Sequence, residues 1–247
     1  MAHRLLRSRL WLLLPWLVGA CALPVNTALR DWSRLADTAV AGPAAAPPAE
    51  AMQQALSLYF QALGVLWDGA PLTFDAPGFA ALARQLPDPA PAGAILALGE
   101  VLRAASEEVP PRWLPRDNSG PTPAYEDRRL TALLRGAEAP MRVLLLALAA
   151  PGRAEAPAPP APGEATSDPA LRQARLEQEA ERLRLAAEGR AAGAQYVAVL
   201  DHVLEGQAVL AAHAGRIRQR STELRLRLAE DRLRRILDGR DVATAGP

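Results

Sequence analysis

Apolar positions along this chain recur mostly at spacings of three and four, the period of a helix with one face turned inward. Asn26 can cap a first helix over Thr27 to Val40, which sets Leu29, Trp32, Ala36 and Ala39 on one face. A second runs from Glu50 to Trp67, where Met52, Leu56, Tyr59, Phe60, Leu63 and Leu66 or Trp67 form a stripe wide enough to face a core. The pattern predicts further helices near Gly78 to Leu86, over Ala92 to Ser106 with Ile95, Leu98, Val101 and Leu102 inward, over Ala124 to Leu134, and over Ala139 to Ala150. Val143 to Leu146 is apolar all round, which predicts a central place in the core for the last of these. Between them, residues 41–49 read as a short stiff connector. P-D-P-A-P (87–91) reads as a break, and residues 109–123, with five prolines, as a long loop anchored by Trp113.

Residues 151–169 contain six prolines and no large apolar side chain, the composition of an extended linker. Asp168-Pro169 then supplies a capping acid and a proline at the first helical position, and no proline follows from Ala170 to Thr244. Leu200, Val203, Gln207, Leu210, Ala214, Ile217, Ser221, Leu224 and Leu228 alternate spacings of three and four, a heptad seam. Upstream, Leu176, Ala180, Leu183 and Ala187 keep the same rhythm. An unbroken helix over 170–238 would be a rod of about 100 Å; a break at Gly189 to Gly193, which we favour, would fold it into a hairpin. Only 23 residues are Val, Ile or Thr, too few for a sheet protein. The sequence therefore predicts an all-α chain: a helical bundle over 27–150, a linker over 151–169, and a long amphipathic helix or hairpin over 170–240 with coiled-coil character.

The first 26 residues follow a different pattern. Arg4, Arg7 and Arg9 precede an apolar run from Leu10 to Val18, and the small pair Gly19-Ala20 leads to Cys21, the one cysteine of the chain. That is the layout of a secretory signal peptide, and it is too short for a bilayer span, which takes about 20 apolar residues. Val18-Gly19-Ala20-Cys21 resembles the lipobox of bacterial lipoproteins. The resemblance implies cleavage after Ala20, a diacylglycerol on the sulfur of Cys21, and a lipidated tether over 21–26. It also implies, from Ala22 rather than an aspartate after the cysteine, sorting to an outer membrane facing the periplasm. Each buried lipid methylene contributes about 0.8 kcal/mol, so two or three chains hold a water-soluble body durably without a spanning helix.

Composition narrows the chemistry. The 28 basic residues are all arginine; less the three before Cys21 they leave 25 against 27 Asp and Glu, so the mature chain is weakly acidic and carries no signal for nucleic acid. With Cys21 acylated no thiol remains, which removes disulfides, thiolate metal sites and cysteine nucleophiles. His202 and His213, the histidines of the mature chain, lie about 16 Å apart along one continuous helix and cannot share a metal. Ser221 is too far along the helix to be activated by His213. Glu107, Glu108 and Asp117 flank the proline loop as solvated acids. The run 216–235 carries eight arginines against three acids and reads as an exposed face with Glu223–Arg227, Glu230–Arg234 and Asp231–Arg235 pairs. No residue set predicts catalysis, a metal or a cofactor.

These features predict a lipid-anchored envelope protein with a structural or adaptor role. Its expected partner surface is the seam over 196–237, through Leu200, Val203, Leu210, Ile217, Leu224 and Leu228, engaging another protein or a second copy, unless the C-terminal helix or hairpin packs back on the bundle. The alternative is a helical module that binds an apolar small ligand among Tyr59, Phe60, Trp67, Phe74 and Phe79. Intact mass of the protein from its native membrane is expected to show a chain beginning at Cys21 with lipid attached; a retained Met1 or a free thiol would contradict the anchor.

Overall fold

The computed structural model describes residues 27–42, 47–67, 72, 74, 76–109, 112–113, 125–154, 169–217 and 219–244. The signal segment 1–20, the tether 21–26 with Cys21, and residues 155–168 of the linker lie outside them. The described chain is all-α. Its helices are α1 (Thr27–Val40), α2 (Pro47–Trp67), α3 (Ala76–Ala83), α4 (Pro89–Glu107), α5 (Arg128–Gly136), α6 (Glu138–Arg153), α7 (Pro169–Ala212) and α8 (Arg220–Thr244), with a 3₁₀ turn at Ala214–Arg216. A two-residue antiparallel ladder pairs Trp113 with Tyr125 and Arg112 with Glu126, while residues 114–124 of the expected proline loop lie outside the described residues.

Local chemistry explains most boundaries. α1 follows its apolar face: Leu29, Trp32, Ala36 and Ala39 are all buried. P-D-P-A-P is a start and not only a break, because the Asp88 carboxylate accepts from the Ala90 amide and Pro89 occupies the first turn, where a missing N–H costs nothing. Asp127 caps α5 in the same way through the Leu130 amide, at 3.0 Å. α6 runs on through Pro151 to Arg153, so the first residues assigned to the linker are helical. α6 is also not central. Leu144 and Leu145 are buried, but Val143 and Leu146 are exposed, so the run that is apolar all round lies on the outside of the bundle with one face inward.

Of the arrangements open to the C-terminal third, the one formed is a hairpin that packs back on the bundle. α7 runs unbroken for 44 residues, a length of about 66 Å, and its C-terminal half inserts into the bundle, packing on α6, α5 and α1. The helix breaks at His213 to Gln219 and not at Gly189 to Gly193, and α8 returns antiparallel along α7 and α1. One core results: Val199, Leu200, Val203, Leu210, Ala214, Ile217, Leu226 and Leu233 belong to the same buried cluster as Trp32, Phe60 and Leu144.

Glycines in α7 mark close approach rather than bending. Gly193 meets Gly152 of α6, with only 3.6 Å from a would-be Cβ to the Gly152 Cα. Gly206 lies flat against the Trp32 indole, and a Cβ there would sit 2.6 Å from Trp32 Cε2. Nothing approaches Gly189. Gly206→Ala is therefore expected to destabilise by about 1–3 kcal/mol through overpacking, while Gly189→Ala gains up to about 1 kcal/mol of helix propensity. Chemical denaturation of the two variants checks both; a tolerated Gly206→Ala would mean that α7 does not sit against α1.

Candidate interaction surface

The seam residues divide into two groups. Leu200, Val203, Leu210 and Ile217 are buried in the chain's own core, Leu200 to 1% exposure, so they cannot serve as an open partner surface. Leu224 and Leu228 are exposed by 56% and 59%. The reason is a change of phase. The turn at His213–Gln219 resets the helix, and α8 turns Thr222, Leu226, Glu230 and Leu233 inward instead. At 100° per residue, Leu224 and Leu228 then fall on the opposite side.

A buried carboxylate fixes that phase. Glu230 is nearly inaccessible, yet it accepts from Arg227 at 2.8 Å and from Arg234 at 2.6 Å. Arg227 also reaches Asp31 at 2.9 Å and the Thr27 hydroxyl, both on α1. Of the acid-before-base pairs expected on this helix, Glu230–Arg234 forms, whereas Arg227 bonds to Asp31 and Glu230. Desolvated carboxylates demand such partners, so the pairing holds α8 in one rotational setting on α1.

A second polar contact lies deeper. Tyr59 of α2 donates to the Gln207 Oε1 of α7 at 2.9 Å, with both side chains buried. Among the described residues the Gln207 Nε2 and the Trp32 Nε1 meet no acceptor. Burial pushes the Tyr59 phenol well above its ordinary value, and the hydrogen bond to Gln207 offsets only part of this. At the near end of the inserted segment, Tyr196 donates to the Val40 carbonyl at 2.9 Å and accepts from Gln53 at 3.1 Å, tying α7 to the end of α1 and to α2.

The aromatic residues are packed rather than arranged around a void. Trp32 and Tyr59 each meet Phe60 edge to face, with centroids 5.6 and 5.3 Å apart, and Phe74 stacks on Phe79 at 5.9 Å. A pocket of about 490 Å³ lies elsewhere, between the end of α1 and the start of α2, lined by polar side chains that include Asp37, Glu50, Gln53 and Ser57. His202 is half-buried with Nδ1 3.1 Å from the Ala198 carbonyl oxygen, and His213 sits in the turn after α7. Among the described residues no group of three or more His, Asp or Glu could hold a metal ion, and no helix is long and apolar enough to cross a membrane.

What stands open is the first half of α7. Gln173 and every residue from Arg175 to Ala192 are exposed, although this stretch carries Leu176, Leu183 and Leu185. Twenty residues of helix project about 30 Å from the body. Periodicity alone gave this segment the same standing as the buried half; what separates them is the denser apolar content of 196–211 and the glycines that let it approach α6 and α1. Comparison with known proteins returns no match: no family model fits the chain, and no curated protein or solved structure resembles it.

Tyr59→Phe removes the hydroxyl that donates to the buried Gln207 amide and is expected to cost about 1–3 kcal/mol. Combining it with Gln207→Met removes the stranded amide and should recover most of that loss. The native phenol stays neutral where an unfolded one ionises, near pH 10, so Tyr59 adds stability that is intact below pH 10 and falls as pH rises further. Denaturation of the variants at neutral and alkaline pH checks both statements; a costless single substitution would mean that the amide reaches water.

Proposed function

We propose that this protein is a lipid-anchored adaptor of the bacterial cell envelope, held to a membrane through Cys21 and engaging another polypeptide through the projecting half of α7. The observation that carries the reading is the arm itself. A helix that leaves about 30 Å of its length in solvent, with Leu176 and Leu183 in heptad register and exposed by 57% and 55%, has an apolar strip that its own body never covers. Exposed strips of this kind on helices serve as docking faces for other chains. Leu224 and Leu228 on the outward face of α8 offer a smaller second patch.

The anchor supports the same reading. The arm's far end, Pro169, follows the proline-rich segment, and the tether 21–26 precedes α1, so the folded body separates the lipid from the exposed helix along the chain. A body fixed at one point on a membrane and carrying a rigid arm is suited to holding a partner near that surface. The buried residues of the original seam contribute by gripping the base of the arm.

Three variants test this. Cys21→Ser should release the protein from the membrane fraction. Leu176→Glu with Leu183→Glu should cut cross-links from the arm to other polypeptides by about tenfold, equivalent to about 1.4 kcal/mol, with the thermal midpoint unchanged because both side chains are exposed. Leu210→Glu should instead unfold the chain, since it places an unpaired charge in the core. Retained cross-links in the double variant, or a fallen midpoint, would contradict the assignment.

A further inference from the structure

The strip on the arm is narrow and regular. Leu176, Ala180, Leu183 and Ala187 follow spacings of four, three and four, and at 100° per residue they fall within about 60° of arc. All four are exposed. Gln173 and Arg190 continue the strip at its two ends, while Leu185 lies on the far side of the helix. Large and small residues alternate along it, leucine then alanine, twice over.

We propose that this strip pairs antiparallel with the same strip of a second copy of the chain, about a two-fold axis between residues 181 and 182. The proposal rests on reading the arm as the docking element and names its occupant. In that register Leu176 faces the partner's Ala187 and Ala180 faces the partner's Leu183, and the two-fold repeats both contacts. Every layer then holds one leucine and one alanine, so the two axes keep one close separation along the whole contact. A parallel pair would set Leu against Leu and Ala against Ala in turn, which forces either a bulge or a void at each step, and neither packs to interior density.

The polar residues agree with this register. Arg190 comes to face the partner's Gln173, whose carbonyl can accept from a guanidinium; in a parallel pair it would face the partner's Arg190, like charge on like. On one rim, Glu177 lies across from the partner's Arg184, and the two-fold makes this pair twice. Arg184 already bonds to Glu181 at 2.8 Å, and its remaining donors leave room for a second carboxylate. The folded bodies agree as well. The arm enters its body where Gly193 meets Gly152, so an antiparallel pair keeps the two bodies at opposite ends of an overlap about 27 Å long. A parallel pair would bring them together at one end.

Such an overlap is short, and in dilute solution its pairing is weak. Anchorage of both copies through Cys21 to one membrane raises their effective concentration and makes the second contact nearly intramolecular. The pair is therefore a property of the membrane-attached protein.

The test uses full-length, anchored chains in their own envelope. Two differently tagged copies are produced together, one with Leu176→Cys and one with Ala187→Cys, both at exposed positions. Mild oxidation is expected to give a mixed disulfide between the two tags, about tenfold above the disulfide of the Leu176→Cys copy with itself. Dominance of the latter, or no disulfide, overturns the antiparallel pair. A photoreactive residue in place of Leu183 separates the remaining cases. Its cross-linking to a different polypeptide and never to a second copy overturns this inference and leaves the adaptor reading standing; cross-linking to no polypeptide removes both.

Discussion

The constraint on which the rest of this molecule depends is the burial of Val199 to Ala211 of α7 among α1, α5 and α6. This segment supplies Leu200, Val203 and Leu210 to a core that the preceding helices leave incomplete, and Gly206 lets its backbone lie against Trp32. Because a helix of 44 residues is continuous, fixing one half fixes the direction of the other. The projecting arm is thus a mechanical consequence of a buried contact some 20 residues away along the same rod. No separate hinge or domain is needed to hold it out.

Polar contacts decide settings that apolar packing leaves open. An apolar face about 100° wide permits some rotation of a helix on its neighbour. Glu230, held by Arg227 and Arg234 while Arg227 reaches Asp31, allows α8 only one setting on α1. A buried carboxylate costs desolvation whatever its partners, so its value here lies in specificity of register rather than in net stability. The outward placement of Leu224 and Leu228 follows from it. The Tyr59–Gln207 bond does for α7 on α2 what Glu230 does for α8 on α1.

The helices of the first 150 residues were legible because each carries its own inward stripe, and α1 begins and ends at the residues its pattern marks. The fate of the C-terminal seam was not, because periodicity tells which face is buried and is silent on what buries it. Leu200, Val203, Leu210 and Ile217 read equally well as one helix of a dimer and as part of a single core. The break falls after Ala212 and not at Gly189 to Gly193. A lone glycine costs a helix only about 1 kcal/mol, and packing against Gly152 easily exceeds that. The inward set of α8 was obscured by Glu230, a charged residue at a core position that pairs with Arg227 and Arg234, of which Arg227 in turn reaches Asp31 and Thr27, some 200 residues away in sequence. Asp88-Pro89 carried the same start signal as Asp168-Pro169 but stood among prolines that read as a break.

The central claim is that the end of α7 and all of its return helix belong to the bundle's single cooperative core. Native-state hydrogen exchange tests it most directly, because it reports the opening free energy of each helix separately. The account predicts that amides of 199–211 and 226–233 open only with those of α1 and α2, at the global unfolding free energy, while amides of 175–190 exchange at much lower cost. If residues 199–233 instead opened together below the global value, with α1 to α6 still protected, the C-terminal helices would be an appended module and the account would be wrong.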